Sequence, residues 1–139
     1  MLRSFPSWSL LMLALLLGGA GCGSAPALPK GYPARGTVVY AGGQPMKGGS
    51  IQFECATDPL LHAVGEIDEK GAFSLRTVKD AVADGAPEGD YQVIVRPAPP
   101  ASGDVLAAHK GVRPITLEET YKVEAKDNTF KIVLPIAAP

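Results

Sequence analysis

The sequence predicts an all-β protein, an antiparallel β-sandwich of seven strands, and three observations lead there. Apolar and polar residues alternate at period two in several short runs, the mark of strands with one buried face. Sixteen glycines and thirteen prolines separate those runs at short spacing, as turns do. No run outside the amino-terminal leader carries a long helical pattern, so strands must supply the core. Aromatic residues make up 6% of the chain, which leaves Val, Ile, Leu and a few rings to fill it.

The run Asp84-Gly-Ala-Pro-Glu-Gly-Asp-Tyr-Gln-Val-Ile-Val-Arg96 organises the rest. Tyr91, Val93 and Val95 point one way and Asp90, Gln92 and Ile94 the other, while the two glycines and the proline ahead of them make a stiff loop. Other strands must cover Tyr91, Val93 and Val95.

Taken from the start, Met1-Leu-Arg3 is a short basic opening, followed by an apolar stretch to Leu17 and then Gly18-Gly-Ala-Gly-Cys22. A charged start, an apolar middle of about 7–15 residues and a small-residue exit describe a secretory signal peptide over 1–21. A membrane span needs about 20 apolar residues, and Gly18 and Gly19 interrupt this one sooner. Residues 22–33 hold Pro, Ala and Gly without a pattern and read as a tether. The domain then occupies 34–135. A mature chain of roughly 120 residues buries about two-thirds of its unfolded surface, enough for an independent core.

Within the domain the expected strands are Arg35–Tyr40, Ser50–Cys55, His62–Ile67, Ala72–Arg76, the organising strand to Arg96, Thr120–Ala125 and Thr129–Leu134. Gly42-Gly43 suits a tight turn after the first. Asp68-Glu-Lys-Gly71 has the Asp-first, Gly-last signature of a type I turn. Val78–Gly89 reads as a long loop. Pro97–Gly103 cannot continue a ladder, and Asp104–Gly111 reads as a brief helix with Asp as its cap and Gly as its stop.

Thirteen basic and fourteen acidic residues leave a formal charge of −1, which excludes the basic stripe of a nucleic-acid binder. Two histidines, His62 and His109, exclude most metal and triad constellations. His62, Glu66 and Asp68 share the outer face of one strand and could be presented to one metal ion, against a solvated polar face as the default. Asp80, Asp84, Glu88 and Asp90 gather around the long loop as a weak calcium or ligand loop, with a solvated loop of Asx-type turns as the plainer reading. Cys55 follows Ile51 and Phe53 at even spacing, so it reads as a small buried hydrophobe, with a Cys22–Cys55 disulfide as the sharper alternative. Tyr91 and Tyr121 read as core rings whose hydroxyls reach the rim.

Two resemblances add to this. Ala20-Gly21-Cys22 resembles the lipobox of bacterial lipoproteins, which implies acylation of Cys22 with diacylglycerol and palmitate; Gly19 stands where that motif usually has Leu. Gly23 rather than Asp after the cysteine implies the outer membrane rather than the inner. Gly36-Thr-Val, Gln44-Pro-Met46, Gly49-Ser-Ile-Gln-Phe53, Gly65-Glu-Ile-Asp68, Gly71-Ala-Phe-Ser-Leu75, Asp84 to Val93 and Asn128-Thr-Phe130, in that order, resemble the carboxypeptidase regulatory-like domain of small bacterial lipoproteins. That resemblance implies a transthyretin-like (prealbumin-like) sandwich and no peptidase activity. The expectation is therefore a lipid-anchored, non-enzymatic module of the cell envelope with no catalytic residue, no metal and no cofactor. Its partners would be the membrane through Cys22 and other envelope proteins or polysaccharide, not nucleic acid. The alternative is a carbohydrate-binding module of the cell surface.

Overall fold

A computed structural model describes residue 23 and residues 28–79, 82–99 and 113–139. They form eleven strands and no helix: β1 (Gly31–Tyr32), β2 (Ala34–Val39), β3 (Ser50–Cys55), β4 (His62–Glu66), β5 (Ala72–Ser74), β6 (Arg76–Val78), β7 (Val82–Asp84), β8 (Ala86–Pro87), β9 (Gly89–Arg96), β10 (Ile115–Val123) and β11 (Asn128–Val133). The expected helix over Asp104–Gly111 lies outside the described residues.

Six strands form one sheet in the order β10-β9-β3-β4-β6-β7, every neighbour antiparallel. Three form a second in the order β11-β2-β5, and β1 with β8 makes a two-stranded ribbon. The period-two reading sorts the inner residues. Ile51, Phe53 and Cys55 of β3 are buried, as are Tyr91, Val93 and Val95 of β9. Phe53 lies at the centre. Its ring meets Tyr91 at 6.0 Å and Tyr121 at 6.1 Å within its own sheet, and Phe130 at 5.3 Å and Phe73 at 6.3 Å across the interior. All four contacts are tilted, the arrangement the ring quadrupoles favour. The second sheet closes down on Phe53 because Gly36 has no side chain. A Cβ there would strike the Phe130 carbonyl and the Phe73 ring.

Four findings differ from the expected seven antiparallel strands. The expected fourth strand divides at Leu75, whose N–H donates to the Ala34 carbonyl at 2.8 Å; β5 stays in the small sheet and β6 joins the large one. The Val78–Gly89 loop contains β7 and β8. The last residues of the expected tether pair as β1, with Gly31 opposite Pro87. Finally β11 runs parallel to β2. The 124–127 turn carries the chain from β10 across the interior to the other sheet, so β11 starts at the same end as β2 and shares its direction.

Loop and strand are locked together at Tyr91. This ring is fully buried, and its hydroxyl donates to the Pro87 carbonyl at 2.8 Å, the arrangement that sandwich folds use as a tyrosine corner. Thr77 does similar work on the other side of the loop, donating its hydroxyl to the Gly85 carbonyl at 2.8 Å. Tyr91→Phe keeps the ring and orphans the Pro87 carbonyl, so it is expected to destabilise the fold by about 1–3 kcal/mol, measured by urea denaturation with an unchanged m-value.

Candidate functional site

The register of the strands collects one set of loops at one end of the sandwich. Cys55 lies opposite Tyr91, Val123 opposite Gly89, Asn128 opposite Ala34 and Gly31 opposite Pro87. The chain therefore enters the fold at the same end as the loops after β3, β6, β8 and β10. Two side chains build that end. Asn128 is buried and holds the 124–127 turn closed. Its Oδ1 accepts from the Glu124 N–H at 2.9 Å, and its Nδ2 donates to the Lys126 and Glu124 carbonyls at 2.6 and 3.0 Å. Its own N–H donates to the Pro33 carbonyl at 2.8 Å, tying the turn to the entering chain.

Asp58 builds the neighbouring loop. Its Oδ1 accepts from the Leu60 N–H at 3.1 Å, its carbonyl accepts from the Leu61 N–H at 2.9 Å, and its Oδ2 meets Lys79 Nζ at 2.9 Å. The Lys79 hydrogen bond first, and the Leu60 amide next, hold the Asp58 carboxyl below the usual range. Both residues are partly exposed, so the ion pair positions the loop more than it stabilises the fold.

The predicted site residues do not converge: His62 lies at this end, Glu66 and Asp68 at the other. Cys22, Asp80 and His109 lie outside the described residues. Asp84, Glu88 and Asp90 are exposed, with Asp84 opposite Arg76 and Asp90 opposite Lys122 on neighbouring strands. Asp68 is committed to its turn, accepting from the Lys70 and Ala72 amides at 2.8 and 2.9 Å. Among the described residues no three His, Cys, Asp or Glu side chains gather so as to hold a metal ion.

Sequence reasoning missed a groove on the open side of the sandwich, where β10 edges one sheet and β11 the other. It encloses about 350 Å³ and is lined by Leu117, Glu118, Glu119, Tyr121, Val133 and Pro135, among others. A bulge opens it. Thr116 pairs with Ile94 and Thr120 with Gln92, so Leu117 to Glu119 together face Val93. The signal was present: Glu119 is the one polar residue in the inward series Ile115, Leu117, Glu119, Tyr121, Val123. The half-buried Tyr121 donates its hydroxyl to Glu119 Oε2 at 3.3 Å. Burial first, then the Glu119 charge, push its phenol up. Burial first, then the Cys55 charge, also push the Tyr91 phenol up.

Comparison of the chain with protein-family models, with curated proteins and with solved structures finds no match.

Cys55 is buried with a free thiol, its Sγ 3.4 Å from Thr57 Oγ1. Desolvation pushes the thiol up, but the Thr57 hydroxyl and the Thr57 and Asp58 amides outweigh it, and the net direction is down. A group whose folded value lies below its unfolded one adds stability above the unfolded pKa and loses it as pH falls through the folded value. Burial keeps reagents from Cys55, so the shift is read from the ultraviolet absorbance of its thiolate, which should appear at lower pH in the folded than in the denatured chain. Thr57→Val should move that onset up, read by the same titration with Cys55→Ser as the blank.

Proposed function

We propose that this chain is a lipid-anchored, non-enzymatic module of the cell envelope, held at the outer membrane through acylated Cys22 and meeting envelope proteins or wall polymers with its sandwich. The observation that carries this reading is the leader: a basic start, an apolar run to Leu17 and Ala20-Gly21 ahead of Cys22, the order that export and lipid transfer require. The two sheets closed over Phe53 support reading the domain as a sandwich of the carboxypeptidase regulatory-like, transthyretin-like kind that the order of motifs resembles.

The surface best formed for a partner is the groove between β10 and β11. Edge strands offer unpaired backbone groups to an added strand, and Leu117, Tyr121 and Val133 offer apolar contact beside Glu118 and Glu119. One observation favours the carbohydrate alternative at the same place. The Tyr121 ring beside two carboxylates combines a stacking surface with acceptors for sugar hydroxyls.

Two measurements test this. Cys22→Ser should move the chain from the membrane fraction to the soluble fraction. A photo-crosslinking residue at Glu118 should capture an envelope protein or glycan in intact cells, while the same residue at Ser74, on the far edge strand β5, captures neither. A membrane-bound Cys22→Ser variant, or equal capture at both sites, contradicts the proposal.

A further inference from the structure

Among the described residues Leu60 and Val82 are the two most exposed large hydrophobics, at 71% and 65% exposure. Single exposed apolar residues are ordinary on a protein surface, but these two are neither scattered nor loosely held. Asp58 accepts the Leu60 amide and Pro59 fixes the backbone between them, so the turn buries Leu61 at 6% and holds Leu60 out. Lys79 ties this turn to the end of β6. Val82 opens β7, directly opposite Val78, which in turn lies opposite His62. Leu60 lies two residues before His62, so the two exposed residues sit at the same end of the large sheet, two strands apart.

These tips belong to the end where the chain enters the fold at Gly31. From Cys22 to Gly31 the backbone spans at most about 30 Å, at roughly 3.3–3.6 Å per residue. Whatever holds Cys22 stays within that reach of Gly31, whose strand β1 contacts β7. We propose that the Leu60 turn and the start of β7 form a second, reversible membrane contact, which seats this end of the sandwich on the lipid surface. The inference rests on the lipid anchor at Cys22 proposed above.

Physical scale supports the pairing of anchor and contact. Burying one Leu and one Val yields only a weak association, of millimolar order when free in solution. A short tether supplies a local concentration of the same order, so the contact is populated only in the anchored chain. Charge at this end is balanced: Lys79, Lys126 and Arg35 each meet a carboxylate, and Asp84 and Asp90 lie opposite Arg76 and Lys122. The contact is apolar and needs no particular lipid charge.

The only tryptophan in the sequence is Trp8, in the leader, so Leu60→Trp places a sole indole at the tip of the mature chain. The protein from Cys22 onward, carrying Cys55→Ala so that Cys22 is its single thiol, is coupled through that thiol to a maleimide lipid in phosphatidylcholine vesicles, which makes the test independent of native acylation. The indole should shift to the blue and be quenched by brominated acyl chains. Val82→Asp should weaken both signals, while salt should leave them unchanged. An Ile136→Trp control, at the opposite end beside the Ala41 turn, should stay wet. Equal signals at positions 60 and 136 would overturn the contact. So would shielding of position 60 without vesicles, which would mean a second copy, or shielding only in cells, which would mean a protein partner. An unmodified Cys22 in the native chain would instead remove the anchor and leave the vesicle result standing.

Discussion

The ring of Phe53 is the constraint on which the fold depends. It is fully buried and touches rings from β5, β9, β10 and β11, so it joins both sheets through one side chain. Aromatic contacts of this kind add about 0.5–1.5 kcal/mol each beyond the area they bury. With few aromatics in the chain, concentrating five of them at one place gives the interior a centre that aliphatic residues alone would leave less defined. Gly36 completes the arrangement, since any side chain there would drive β2 away from Phe130 and Phe73.

From that centre the ends of the sandwich follow. Because Phe53 is fixed, the two residues that leave β3 at its carboxyl end reach the same level as Asp90, whose carbonyl accepts the Ala56 N–H at 2.9 Å. Asp58 then turns the chain, Asn128 closes the neighbouring turn and draws in Pro33, and Tyr91 fixes the loop before β9. Side chains that form turns thus gather where the chain enters the domain. That end is specified by hydrogen bonds, whereas the β10–β11 side is left open by a bulge.

Much of this was legible in the residues, for identifiable reasons. Alternation named the inner faces of β3 and β9 because each strand keeps one register along its length. Asp68 and Gly71 marked their turn because a carboxylate accepting two amides and a residue at φ +79° have few substitutes. The change of sheet at Leu75 was hidden, since Phe73, Leu75 and Thr77 are all buried and the chain crosses over without breaking its period. The parallel pairing of β11 was hidden too, because nothing local says which sheet a strand joins after a turn. The bulge in β10 adds two residues and so preserves parity. Only the misplaced Glu119 betrayed it. The acidic residues of the long loop looked like a cluster in the sequence because they are close along the chain; in the fold Asp84 and Asp90 sit on separate strands of the large sheet.

The functional proposal turns on a covalent bond at Cys22, since the tether, the orientation of the entry end and the contact at Leu60 all follow from it. Peptide-mapped mass spectrometry of the protein isolated from its native envelope tests that bond directly. The expected result is a chain beginning at Cys22 whose first peptide carries the added mass of diacylglycerol and fatty acid. A chain beginning elsewhere, or a Cys22 with a free thiol, would contradict it.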